Sequence, residues 1–118
     1  MSQPDRVVIE LSDDERGLLL CGLREWGGPA TLTDAVAVAM GFVDRAEFWS
    51  ERGRLASALE AGEALAPADW TRVLVATEIV FASDVLGSGV DWSSTTRFTD
   101  GESIAILRAV QRKARGRS

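Results

Sequence analysis

Apolar residues along the chain fall into groups with helical spacing, and capping residues stand at the start of several groups. Ser12 and Glu15 lie three residues apart, the spacing of a capping box, just ahead of an apolar run. Thr99 and Glu102 repeat that arrangement near the C-terminus. Glycines follow the apolar groups, as is typical where helices end. The pattern predicts five helices, over about 13–26, 31–40, 45–61, 67–86 and 100–114.

The predicted helix 67–86 differs from the others because apolar residues cover nearly its whole circumference. A helix of that kind is normally buried at the centre of a fold. Two short stretches, 6–11 and 95–98, could pair as a small two-stranded β element. We therefore predict an all-α fold, a compact bundle of about five helices around the central helix. The length fits a single domain, 1–118, whose basic C-terminal end, 108–118, could fray.

The composition excludes the commonest catalytic chemistries. The 118 residues include no His, and Cys21 is the one cysteine. Imidazole therefore serves neither as a general base nor as a metal ligand, and one cysteine forms neither an internal disulfide nor a cysteine-based zinc site. We expect a protein that is not an enzyme and has no catalytic residues, metal or cofactor.

The ends and the composition of the chain also suggest where the protein works. The N-terminus lacks the apolar core of a signal peptide, and no apolar run approaches the ~20 residues of a membrane span. We expect a cytoplasmic protein that makes no membrane contact. Twelve Arg against one Lys, with sixteen Ala and no Asn or Tyr, are typical of a GC-rich genome and favour a bacterial source.

Charge is distributed unevenly along the chain. Residues 1–103 contain 18 acidic and 8 basic residues, a net charge of −10, whereas residues 104–118 contain five basic residues and no acid. An acidic body repels phosphate, so nucleic acid is a disfavoured partner. Arg108, Arg112 and Arg115 are spaced to share one face of the last helix. That face either is solvated or docks on an acidic partner or on nucleic acid.

A second candidate for partner binding lies in the loop after the central helix. Trp92 follows Asp91 among glycines and hydroxyl residues, and an exposed tryptophan beside an acid is typical of binding hot spots. The alternative is that Trp92 folds back over the core. Our leading hypothesis is a small non-catalytic protein-interaction module that binds another protein through this pair and the three arginines. Its size and acidity are typical of immunity-like inhibitors and regulatory binding proteins.

Glu78 and Asp84 stand out as carboxylates within the apolar central helix. A buried carboxylate must be paired or protonated, so one interpretation is a small-ligand site or a carboxylate enzyme around them. Their six-residue spacing puts the two on different helix faces. The alternative is a structural ion pair with Arg97 or Arg108.

One short motif carries a family resemblance. Residues 37–44, AVAMGFVD, followed by Phe48, resemble the signature of AraC-type transcriptional activators. The resemblance implies a DNA-binding regulator with a helix-turn-helix around 33–55, whose second helix enters the major groove. The match covers about twelve of the 118 residues.

That resemblance makes Arg45, Arg52 and Arg54 the candidate DNA-binding residues. The alternative is a structural one, in which Gly41 ends a helix and Phe42 anchors the core together with Phe48.

Overall fold

Five α-helices make up most of the part of the chain that the computed structural model describes, residues 6–27, 32–82 and 98–115. They are α1 (Asp13–Arg24), α2 (Asp34–Met40), α3 (Arg45–Ala61), α4 (Pro67–Ala82) and α5 (Asp100–Arg115), with a short 3₁₀-helix, Glu25–Gly27, after α1. These three stretches contain no strand. The predicted all-α bundle of about five helices is confirmed.

Both predicted capping boxes are present. At the start of α1, the backbone N–H of Glu15 donates to Ser12 Oγ (3.1 Å), and the Ser12 N–H donates to Glu15 Oε1 (2.8 Å). At the start of α5, Glu102 and Thr99 exchange the same two hydrogen bonds, at 3.1 and 2.9 Å. Each box satisfies two backbone N–H donors with side-chain acceptors and fixes where its helix begins.

The middle helices end at glycines for a conformational reason. Gly41 follows α2 with φ +109° and Gly62 follows α3 with φ +70°, values that residues with a Cβ rarely adopt. Between α2 and α3, Asp44 caps the new helix by accepting from the Glu47 N–H (2.9 Å). The two helices are therefore joined by a short turn whose ends are both fixed by local hydrogen bonds.

The closest helix pair is α1 against α4, and it depends on a missing side chain. A Cβ on Gly22 would lie 2.7 Å from the Cβ of Thr77 and 2.9 Å from its Cα. The Thr77 hydroxyl is fully buried at this contact and donates to the Val73 carbonyl (2.9 Å). The indole N–H of Trp26 donates to the Ala76 carbonyl (3.3 Å) on the same helix. The two backbones can approach this closely because Gly22 has no side chain and because the polar groups buried there, on Thr77 and Trp26, have hydrogen-bond partners.

Helix α4 occupies the centre, as its composition predicted, because it packs against α1, α2 and α5. Its buried face holds Trp70, Val73, Ala76, Thr77 and Val80. The opposite side is less enclosed: Leu74, Val75, Ile79 and Phe81 are only partly buried against the core. The last predicted positions of this helix, 83–86, lie outside the described residues.

The N-terminal segment makes a pairing that the sequence did not predict. Val7 forms an isolated antiparallel bridge with Leu65, through N–H···O contacts of 2.8 and 3.0 Å. The Val7 carbonyl also accepts from the indole N–H of Trp70 (2.9 Å), on the first turn of α4. Within the described residues, the predicted strand 6–11 is an extended segment with a single bridge, to the α3–α4 connection. Residues 95–97 of its predicted partner lie outside the described residues.

The last helix includes most of the basic end. Helix α5 continues through Arg115, so residues 108–115 are helical, and residues 116–118 lie outside the described part of the chain. Among the helices of that part, none is long and apolar enough to cross a bilayer.

Replacing Gly22 tests the close approach of α1 and α4. We expect Gly22→Ala to lower the free energy of unfolding by about 1–3 kcal/mol, because the new methyl group displaces α4. Gly53→Ala is the matched control, since a Cβ there meets nothing within 4 Å. That control should raise stability by up to about 1 kcal/mol, because alanine favours the helix. Urea unfolding followed by circular dichroism measures both; equal stability of the two variants would contradict the contact.

Candidate functional site

A continuous open groove runs between α4 and α5. Its apolar end has a volume of about 80 Å³ and is lined by Val7, Ile9, Pro67, Trp70, Thr71, Leu74 and Ala114. Its polar end is larger, about 420 Å³, and is lined by Thr71, Leu74, Glu78, Arg108, Gln111, Ala114 and Arg115. Three residues line both ends, so the two form one groove with Leu74 at its middle.

The polar end joins residues that the sequence analysis had considered separately. The Gln111 side-chain N–H donates to Glu78 Oε2 (2.7 Å), and its amide oxygen accepts from Arg108 Nη1 (3.0 Å). Gln111 therefore links the carboxylate of α4 to a guanidinium of α5. Glu78 is half-buried rather than fully buried, and this hydrogen-bonded chain takes the place of the direct contact with Arg108 that the sequence suggested.

The arginine stripe predicted on the last helix is exposed at all three positions. Arg108 and Arg115 line the groove, whereas Arg112 is not among its lining residues. The other predicted site residues, Asp84, Asp91 and Trp92, lie outside the described residues, as does Arg97. Their proposed roles stay predictions.

An ion pair between a buried carboxylate and an exposed lysine holds α5, which forms one wall of the groove, against α1. Lys113 on α5 donates to Glu15 Oε1 (2.6 Å) and to the Glu10 carbonyl (2.9 Å). Glu15 is only 7% exposed. Burial alone would raise the pKa of Glu15, but hydrogen bonds from Lys113 and Ser12 outweigh it, and the pKa lies below its ordinary value. The ion pair therefore ties α5 to the start of α1.

The candidate DNA-binding arginines are engaged within the protein. Arg54 donates to both oxygens of Asp69 (3.2 Å each) and to Glu51 (2.6 and 2.9 Å). Its hydrogen bonds to Asp69, and then to Glu51, raise the pKa of Arg54 above its usual range. Arg45 forms an exposed ion pair with Asp34 (3.7 Å). Two of the three arginines thus already face carboxylates.

The remaining residues of the motif fit the structural alternative. Arg52 lies over the ring of Trp49, 4.9 Å from its centre. Phe42 and Phe48 are buried and contact each other edge to face, with ring centres 5.4 Å apart. Gly41 ends α2 in the left-handed conformation. The prediction that these residues end a helix and anchor the core is confirmed.

A cluster that the sequence analysis missed ties this region to α4. Asp69 is 8% exposed and accepts from Arg72 (3.1 Å) as well as from Arg54. Arg72 also donates to the Gly41 carbonyl (3.0 Å) and lies 4.8 Å over the Phe42 ring. Two guanidiniums around one carboxylate offset the cost of burying its charge. The one local signal was the i, i+3 spacing of Asp69 and Arg72.

The groove lining combines polar and apolar groups. It supplies one carboxylate, one amide and two guanidiniums at one end and mainly apolar side chains at the other. Within the three described stretches, no group of three or more acidic or cysteine side chains is placed to hold a metal ion.

Comparisons with known proteins gave no relative. No protein-family model, no curated protein and no solved structure matches the chain.

The ion pair between Glu15 and Lys113 predicts a dependence of stability on pH. Because the pKa of Glu15 is lowered by folding, its stabilisation is present above the unfolded pKa and is lost as pH falls through the folded pKa. We expect Glu15→Gln to cost about 1–3 kcal/mol near neutral pH. Glutamine keeps the capping-box acceptor, so the change isolates the charge.

Urea unfolding of wild type, Glu15→Gln and the exposed control Glu10→Gln, at neutral pH and near pH 3, measures this effect. The cost of Glu15→Gln should shrink as the pH falls, because the stabilisation by the charged carboxylate is lost as pH falls through the folded pKa. Glu10→Gln should cost little at either pH, since only its backbone carbonyl contacts Lys113. A cost for Glu15→Gln that stays constant with pH would contradict the charged interaction.

Proposed function

We propose that the protein is a small non-catalytic binding module that holds a segment of a protein partner in the groove between α4 and α5. The observation that carries this proposal is the groove itself, which runs from an apolar end beside Trp70 to a charged end beside Arg108 and Arg115. Helix-in-groove and extended-peptide recognition both use an apolar channel with polar groups along its rim.

The α4 wall of the groove supports binding of a chain segment. Leu74 lies at the centre of the central helix, yet it is only partly buried, so covering it would remove apolar surface from water. The Trp70 indole is fixed by its hydrogen bond to Val7, so a partner would meet a preformed surface. Rigid apolar anchors of this kind lower the entropy lost on binding.

The shape of the groove favours a macromolecular partner over a small ligand. Small-molecule sites usually enclose most of the ligand surface. This groove is open along its length, an arrangement that suits a segment whose other side remains in water or on the partner. The acidic body and small size are consistent with an immunity-like or regulatory role, and we place the protein in the bacterial cytoplasm on the basis of its composition.

DNA binding has less support. Helices α2 and α3, joined by a short turn, are arranged in sequence like a helix-turn-helix. However, binding phosphate through Arg54 would require its contacts with Asp69 and Glu51 to be replaced. Arg45 would likewise have to leave Asp34.

A substitution that fills the groove with a large charged side chain tests the proposal. We expect Leu74→Arg to weaken partner binding at least tenfold, or by about 1.4 kcal/mol, because a charged side chain then occupies the middle of the channel. Val43→Arg is the matched control: it adds the same side chain at a residue that is 75% exposed, in the α2–α3 turn, and outside the groove.

The measurement is affinity capture from nuclease-treated lysate of the source organism, quantified by mass spectrometry for the wild type and both variants. A protein recovered in stoichiometric amount with wild type and Val43→Arg, but lost with Leu74→Arg, is the expected result. Circular dichroism and thermal unfolding establish that both variants fold. A folded Leu74→Arg protein that recovers the same partner in the same amount contradicts the proposed site.

A further inference from the structure

The chemistry of the partner segment can be derived from the two walls of the groove. On the α4 wall, Thr71 and Leu74 present a largely apolar surface that continues to Trp70. On the α5 wall, Arg108 and Arg115 present guanidinium groups. A segment lying between these walls meets apolar atoms and the Glu78 carboxylate on one side, and positive charge on the other.

The charge of the rest of the molecule adds to the difference between the two walls of the groove. Residues 1–103 have a net charge of −10, and the five basic residues of 104–118 carry no acidic neighbour in that stretch. An acidic partner is repelled by the body and attracted to α5, so its approach is directed to the wall that carries the arginines. A basic partner would instead be drawn to the body, away from this helix.

The contacts at the polar end leave Arg108 suited to a carboxylate. Its observed contact is with the neutral amide oxygen of Gln111 (3.0 Å), which uses one of the five N–H donors of the guanidinium. Glu78 is the one acidic residue in the groove lining. It accepts a hydrogen bond from the side-chain nitrogen of the same Gln111 amide. Guanidinium groups bind carboxylates through paired N–H donors, and more strongly than they bind neutral acceptors.

We infer that the groove selects an acidic amphipathic segment, whose apolar side chain packs on Leu74 and whose carboxylates bind Arg108 and Arg115. This inference rests on the proposed function. The two arginines are seven residues apart on α5, about 10 Å along the helix axis. The carboxylates of the segment have a matching separation, which corresponds to two turns of a helix or about three residues of an extended chain.

A displayed library of random peptides of about 16 residues, long enough for four helical turns, is the probe. It is selected on the full-length protein at low salt, and the enriched peptides are then measured by fluorescence anisotropy. We expect enriched peptides to carry Asp or Glu beside an apolar residue. Arg108→Glu and Arg115→Glu should each weaken their binding at least about tenfold, since each places a like charge against a peptide carboxylate.

The matched control is Arg112→Glu, which makes the same change in net charge on the same helix, at a position that does not line the groove. It should weaken binding no more than about threefold, because it acts only through the long-range electrostatic field, which salt screens. All three positions are exposed, so the variants should fold, and circular dichroism verifies this. Equal losses for Arg112→Glu and Arg108→Glu would overturn the inference, because net charge would then explain the effect.

The Leu74→Arg variant distinguishes failure of the inference from failure of the proposed function. If enriched peptides are neutral or basic and are still lost with Leu74→Arg, the groove binds peptides but the acidic segment is wrong. If no peptide is enriched, or if enriched peptides bind Leu74→Arg as tightly as wild type, the groove is not the binding site and both proposals fall. Acidic peptides that depend on Leu74, Arg108 and Arg115 together support both.

Discussion

The close contact of α1 with α4 is the constraint on which the rest of the structure depends. At Gly22 and Thr77 the two helices meet with no room for another carbon atom, so side chains farther along each helix must pack at the spacing set there. Thr77 can be buried at this point because its hydroxyl bonds to the carbonyl of Val73 in its own helix. Helices α2 and α5 then pack on α4, and α3 packs on both α1 and α2.

Charged residues at the edges of this core determine where the outer helices sit. Asp69 joins α4 to α3 through Arg54, and Arg16 joins α1 to the end of α3 by donating to the Leu59 carbonyl (2.8 Å). Glu15 and Lys113 join α1 to α5. These contacts place several of the chain's basic groups in structural roles. Arg108 and Arg115 of α5 line the open groove instead, where Arg108 donates to the Gln111 amide oxygen.

Sequence reasoning succeeded where the deciding interactions are local. The capping boxes at Ser12 and Thr99 each join residues three positions apart, and the glycines at the ends of α2 and α3 act on their own backbone. The groove was not predictable in this way. Gln111 contacts Glu78, which is 33 positions away in the sequence, and Lys113 contacts the Glu10 carbonyl, which is 103 positions away. No periodicity in the chain encodes such pairs, because they depend on how the helices cross.

The two sides of α5 contact different parts of the molecule. Lys113, the chain's one lysine, reaches toward α1, where its ammonium donates to both a carboxylate and a carbonyl. A compact group with three donors suits that position better than a planar guanidinium. Gln111 and Arg115 line the groove beside α4 instead. Because Lys113 lies between these two residues in sequence, its ion pair with Glu15 fixes the part of α5 that forms the groove wall. The geometry of the groove wall is therefore supported by a contact on the opposite side of the helix.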